Sequence, residues 1–256
     1  MNRERIHGLF DLTDRVAIVT GGTRGIGRAV AAGFVGAGAK VVVASRKAEA
    51  CAETEAHLKS LGGDVLAVPT HLGELEGLKT LVARTVESFG RIDIVVNNAA
   101  NALRQDLGAF TPEAWEKSFA VNLRGPVFLV QEALPHLEKS PHASVVNVVS
   151  AAAFMASPFQ AMYGAGKAAL LHFTSSMAAD FAPKGIRVNA LAPGTVDTDM
   201  VRNNTPEVQA AMAGASFLRR AAHPDEMVGP VLFLASDASS FVTGQVLIAD
   251  GGLVSR

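Results

Sequence analysis

Val16-Ala17-Ile18-Val19-Thr20-Gly21-Gly22-Thr23-Arg24-Gly25-Ile26-Gly27 is the stretch from which the rest of the chain is read. The run Val16–Thr20 predicts a buried strand, and the glycines after it predict a sharp turn into a helix over Gly25–Gly38. Glycines let the backbone approach an anion closely. The free N–H groups and dipole at a helix N-terminus favour a phosphate at that spot. The spacing is Gly-x-x-x-Gly-x-Gly, and no Gly-Lys-Ser/Thr follows it, which disfavours nucleoside triphosphate hydrolysis.

The strand–helix alternation continues outward. Further strands are predicted at Lys40–Ala44, Asp64–Val68, Ile92–Val96, Ser144–Val149, Arg187–Leu191 and Gln245–Ala249. Helices are predicted at Lys47–Leu61, Glu74–Phe89, Gln160–Phe181 and Asp225–Leu234, with one long helix from the Thr111-Pro112 cap toward Leu137. Several strands are apolar on both faces, as in a parallel sheet covered by helices on both sides. Parallel neighbours need crossovers, so the expectation is one α/β domain over residues 1–256, a doubly wound parallel sheet with helices on both faces. Residues 193–223 break the alternation. A stretch of that length reads either as a lid over a site or as a peripheral helical insertion.

Composition narrows the function classes. With 23 basic and 24 acidic side chains, the chain has no broad attraction for nucleic acid or an anionic membrane. The lone Cys51 excludes an intrachain disulfide framework and fits a reducing, cytoplasmic location. The richest apolar stretch, Ala143–Ala156, is broken by Ser144, Asn147 and Ser150, and Met1–Phe10 is too polar for a signal peptide. The seven histidines show no metal spacing, and Ser150 lacks a Gly-x-Ser-x-Gly elbow, so neither a metal site nor a hydrolase triad is expected.

Two constellations carry chemistry. At the end of the second strand stands Ser45-Arg46-Lys47, with no carboxylate until Glu49. A carboxylate at that position binds a ribose 2′-hydroxyl, whereas guanidinium and ammonium groups attract a 2′-phosphate. With Arg24 as a further cation, the reading favours NADP(H) over NAD(H); the bland alternative is that these charges only open a solvated helix. The second constellation is Tyr163 and Lys167, at i and i+4 on one helix face. A nearby ammonium lowers a phenol's pKa from about 10 toward the range useful for proton transfer. Ser150 ends the fifth strand, where a hydroxyl can bind a substrate oxygen or simply cap a turn.

Assembled, these residues resemble the short-chain dehydrogenase/reductase family over essentially the whole chain. The matches are Thr20–Gly27, Asn97-Asn98-Ala99-Ala100, Val121-Asn122-Leu123, Ser150 and Tyr163-Gly164-Ala165-Gly166-Lys167. Beyond them come Arg187-Val188-Asn189, Pro193-Gly194-Thr195-Val196-Asp197-Thr198, and Phe241–Gln245 through Asp250-Gly251-Gly252. The resemblance implies a Rossmann-type fold and hydride transfer between NADP(H) and a carbonyl or secondary alcohol. By that resemblance Tyr163 exchanges the proton, Lys167 binds the nicotinamide ribose and depresses the Tyr163 pKa, and Ser150 binds the reacting oxygen. Asn122 holds a relay water. Cofactor contacts are implied for Gly21, Thr23, Arg24, Gly25, Ile26 and Gly27, for the selectors Ser45, Arg46 and Lys47, and for His71 and Leu72 beside adenine. Asn97 and Ala99 are placed near the adenosine, and Pro193, Gly194, Val196 and Thr198 on the nicotinamide and phosphates.

Two positions depart from the family pattern: Ala100 stands where glycine is usual, and His71 where an aspartate often lies beside the adenine. The motifs look most like NADP(H)-dependent carbonyl and retinal reductases, then 3-oxoacyl-[acyl-carrier-protein] reductases. Phe154, Met155, Phe159, Met200, Met212, Phe217 and Leu218 suit a hydrophobic small-molecule substrate, and equally a subunit contact in a homotetramer or homodimer or a place in the core. An NAD-dependent alcohol dehydrogenase and a non-catalytic dinucleotide-sensing protein are the competing readings.

Overall fold

The computed structural model describes residues 2–156 and 158–254. Its first half runs α1 (Arg3–Gly8), β1 (Val16–Thr20), α2 (Gly25–Gly36), β2 (Lys40–Ser45), α3 (Ala48–Ser60), β3 (Val65–Pro69), α4 (Leu75–Phe89) and β4 (Ile94–Asn97). The second half runs α5 (Pro112–Phe119), α6 (Gly125–Leu137), β5 (Ser144–Val148), α7 (Ala161–Phe181), β6 (Arg187–Pro193), α8 (Asp199–Arg202), α9 (Pro206–Gly214), α10 (Val228–Ala235) and β7 (Val246–Ala249). The strands form one seven-stranded sheet in the order β3-β2-β1-β4-β5-β6-β7, and every pair is parallel. The order reverses beside β1, and ligands of such sheets bind beyond the carboxyl ends of the strands at that switch point.

The strands are apolar on both faces because both faces are covered. Along β1, Ala17 and Val19 pack with Phe34 of α2 and Val231 and Leu234 of α10, while Ile18 packs on the other side with Leu78, Leu81, Leu129 and Leu137 of α4 and α6. Each such side chain taken fully from water contributes about 1.5–3 kcal/mol. Beneath the sheet, at the amino ends of the strands, the carboxylate of fully buried Asp93 accepts from the Val16 N–H at 2.9 Å. It also takes a two-pronged bond from Arg91 and the hydroxyl of Ser140.

Three departures from the expected elements have local causes. The single helix expected from Thr111 to Leu137 is two helices joined by a π turn at Ala120–Arg124, in which the Gly125 N–H reaches back to the Ala120 carbonyl. Pro126 has no N–H to give the carbonyl of Asn122 four residues earlier, so an unbroken α-helix is not available there. The helix expected at Asp225 opens as a 3₁₀ turn, Pro224–Met227, with a reciprocal cap between His223 and Glu226. Residues 193–223 contain the short helices α8 and α9, and a Val196–Ala222 bridge joins the two ends of the segment to each other. The N-terminal α1 has no buried residue and so left no apolar periodicity to read.

Candidate active site

The glycine turn is closed by its neighbours. Gly21 and Gly25 have φ of 64° and 50°, and a Cβ on Gly27 would lie 2.3 Å from the Gly21 carbonyl oxygen, so side chains cannot enter. Asn98 donates from its amide to the Thr20 carbonyl at 2.9 Å, and the Thr20 hydroxyl accepts from the N–H groups of Asn98 and Ala99 at 3.0 and 3.1 Å. These bonds lock the turn after β1 to the turn after β4. α2 opens with Arg24 at its N-cap, with no side-chain cap and no acidic residue in the first turn. Its leading N–H groups are therefore left for an anion, which fits a dinucleotide's pyrophosphate. Asn98, matched in the sequence only as part of the Asn97–Ala100 motif and given no role there, is the side chain that makes this lock.

The neighbouring strand end carries the selector residues. Thr23 donates to the Ser45 hydroxyl at 2.9 Å, which pins the turn to the end of β2. Arg46 and Lys47 are exposed and make no ion pair among the described residues. Arg24, expected as a further free cation, instead faces Asp199 of α8 at 3.2 Å. A Cβ on Gly25 would meet the Thr198 methyl at 2.9 Å, so the root of the 193–223 segment abuts the glycine turn. Thr198 gives its hydroxyl to the Val196 carbonyl at 3.3 Å, and Pro193 and Val196 are buried. Gly194 runs so close to Asp250 that a Cβ would sit 2.7 Å from its Cα.

At the carboxyl end of β5, three expected residues meet. The Tyr163 phenol and the Ser150 hydroxyl share a hydrogen bond, and Ser150 also accepts from the Ala152 N–H at 3.1 Å. The turn-cap reading of Ser150 is thereby met. One turn along α7, Lys167 is 1% exposed. Its Nζ donates to the Val148 carbonyl at 2.7 Å and lies 5.9 Å from the centre of the Tyr163 ring. Burial pulls the Lys167 ammonium down to about 8. The expected depression of the Tyr163 phenol is corrected: burial raises it, and the Ser150 hydrogen bond only partly opposes this. The reason is the low polarity around the ring, with the neighbouring amine turned to a backbone carbonyl.

Other expected positions are placed differently. The Asn97 side chain does not reach toward an adenosine: it is 1% exposed and donates to Asn147 Oδ1 at 2.9 Å and to the Pro126 carbonyl at 3.3 Å. Asn147 passes the chain on to the Thr174 hydroxyl of α7 at 2.9 Å. An asparagine at a strand end faces one side of the sheet or the other, and a one-residue step decides which. Asn122, in the π turn, has its amide engaged: it donates to the Asn101 carbonyl at 2.8 Å and accepts from the Asn101 N–H at 3.0 Å. Asn101, unnoticed in the sequence, is thereby held against α5, where it also donates to the Lys117 carbonyl at 3.0 Å. Leu72 and Ala99 contribute side chains to one core cluster and Ile26 to the other. His71 stands in the turn after β3, its Nδ1 accepting from the Gly73 N–H at 3.1 Å.

The family described as enoyl-(acyl carrier protein) reductase matches residues 21–254. Dehydrogenase/reductase SDR family member 4 of Homo sapiens is 38% identical over 248 residues, spanning 96% of this chain and 89% of that protein. The chain belongs to the short-chain dehydrogenase/reductase family. A rhamnolipids biosynthesis 3-oxoacyl-[acyl-carrier-protein] reductase of Pseudomonas aeruginosa is 36% identical over 254 residues, spanning 96% of this chain and 99% of that one. The crystal structure of a short-chain type dehydrogenase/reductase from Mycobacterium marinum superimposes with a TM-score of 0.92 at 30% identity, covering 97% of this chain and 98% of the other. As a short-chain dehydrogenase/reductase the chain is an oxidoreductase of small molecules that works with a nicotinamide dinucleotide. Among the described residues, no helix is long and apolar enough to cross a membrane.

Proposed function

We propose that this short-chain dehydrogenase/reductase interconverts a carbonyl and a secondary alcohol with NADP(H), using Tyr163, Ser150, Lys167 and Asn122. The observation that carries the reading is the Ser150–Tyr163 hydrogen bond with the buried Lys167 amine one helical turn away. When bound, the nicotinamide supplies or accepts the hydride. Ser150 donates to the substrate oxygen and orients it. A phenol raised by burial stays protonated at neutral pH, so Tyr163 is poised as the acid that quenches a developing alkoxide. The Lys167 amine, near 8, gains or loses a proton easily and can replenish the phenol. Because the Asn122 amide is engaged with Asn101, the relay water falls to its backbone carbonyl, which Pro126 leaves without an i+4 donor.

Exposed Arg46 and Lys47, with no acid beside them, support NADP(H) through attraction for a 2′-phosphate. One observation favours the NAD(H) reading: Asp199 takes Arg24, removing a cation from the phosphate side. Exposed Met200, Phe217 and Leu218 on the 193–223 segment support a lid over a hydrophobic substrate. Exposed Trp115, Phe173 and Phe241 support an assembly of two or four copies. Initial rates with NADPH and NADH across aldehydes, diketones and β-ketoacyl thioesters test the reading. NADPH turnover that falls about tenfold in Arg46→Ala, with NADH rates unmoved, is the expected result. Equal use of both dinucleotides by the unaltered enzyme would move the assignment to NAD(H), and no turnover on any substrate would favour a dinucleotide sensor.

A further inference from the structure

The turn after β3 holds a histidine whose hydrogen-bonding sense is fixed by its own backbone. The Gly73 N–H can only donate, and it donates to His71 Nδ1 at 3.1 Å, so the ring proton is on Nε2. The imidazole is partly exposed, and its Nε2–H has no protein acceptor among the described residues. A Cβ on Gly73 would lie 3.0 Å from His71 Cε1, so the ring sits close over that glycine and cannot rotate freely.

Placement says what this donor meets. Pro69 pairs with Ser45 across β3 and β2, and the Thr70 N–H bonds to the Ser45 carbonyl at 2.7 Å. That register, carried on, sets Thr70 level with Arg46 and His71 one residue past it, about one strand spacing, roughly 5 Å, outward in the plane of the sheet. If pyrophosphate sits on the α2 N-terminus and the ribose at the end of β2, a base continuing along the same line would lie over the end of β3. We infer that His71 reads the purine as a hydrogen-bond donor, addressing a ring nitrogen or a 6-oxo group and offering nothing to an exocyclic 6-amino group. This deepens the NADP(H) reading and rests on it. An acceptor at position 71 would select adenine by taking its amine proton; a donor there accepts either a 6-amino or a 6-oxo purine.

The test measures, by calorimetry, the Kd of NADPH and of its hypoxanthine analogue, in which a 6-oxo group replaces the 6-amino group. Three proteins are compared: the unaltered chain, His71→Asn and His71→Asp. Both replacements can keep the turn by accepting the Gly73 N–H two residues on. Asn then presents a donor amide to the base, as His71 does, whereas Asp presents its second, acceptor oxygen. The unaltered chain and His71→Asn are expected to bind the two purines within about threefold, and His71→Asp to favour adenine by about tenfold or more. A ratio that is the same in all three proteins overturns the assignment, as does a tenfold adenine preference in the unaltered chain. Failure of the unaltered chain to bind NADPH at all would instead overturn the dinucleotide reading, so the two failures are distinguishable. Circular dichroism of His71→Asp confirms that its ratio comes from folded protein; if it is unfolded, the unaltered chain and His71→Asn decide alone.

Discussion

An ammonium without a carboxylate beside it is costly to bury, and Lys167 is buried with one backbone carbonyl for company. Its folded value near 8 lies below the usual lysine value, so between about pH 8 and 10.4 the unfolded chain binds more protons and stability rises with pH. The rise is about 3 kcal/mol from this one group. Urea unfolding at pH 7.5 and 10 should show it, and Lys167→Met should remove most of it. Tyr163→Phe, by contrast, leaves the fold alone and removes the acid. Turnover is expected to drop about 10²–10⁴-fold while NADPH affinity, measured by calorimetry, stays within about twofold. Serine, tyrosine and lysine were legible in the sequence because i and i+4 share a helix face and Ser150 follows a strand whose end must open on the site. The direction of the tyrosine's shift was not legible, since it depends on packing contributed from elsewhere in the chain. The side-chain partners of Asn97 were not legible for a similar reason: its position on the pleat aims it at Asn147 and Pro126.

Among the elements, the π turn between α5 and α6 does most to shape the site. Its signal was present as Gly125-Pro126, but a proline just after a glycine also reads as an ordinary helix irregularity, and the long apolar periodicity masked the break. Giving residue 126 an N–H allows the helix to tighten and to take up the Asn122 carbonyl. Pro126→Ala is therefore expected to hold or raise Tm and to lower kcat about tenfold or more, read from thermal melts and initial rates on one preparation. The other informative element is α8. Its Asp199 pairs with Arg24 across the mouth of the glycine turn, with both side chains more than half exposed. Such pairs add little stability, under about 1 kcal/mol, so Asp199→Asn is expected to leave Tm nearly unchanged. It frees Arg24, and NADPH should bind a few-fold tighter by calorimetry, with a steeper weakening as salt is added. The strand–helix alternation was legible from end to end because strands buried on both faces are apolar without a period of two. Residues 193–223 were not: α9 has no buried residue, so its pattern pointed nowhere.

Across the whole molecule, two carboxylates at the lower end of the sheet, Asp93 and Asp237, join segments far apart in the chain. Asp93 joins the start of β1, the entry to β4 and the loop before β5, and Asp93→Ala strands a buried N–H of Val16. A loss of about 2–4 kcal/mol is expected, measured by urea denaturation at pH 7. The first strand made, β1, lies between β2 and β4. Strands β1 to β3 are all synthesised once Pro69 has been added, but the other edge of β1 waits for β4, which ends at Asn97. At about 5–20 residues per second that wait lasts about 1–6 s on the ribosome, during which an apolar strand edge stands open. Synonymous codons that slow decoding between Pro69 and Asn97 prolong it, and they are expected to lower soluble yield without changing a single side chain.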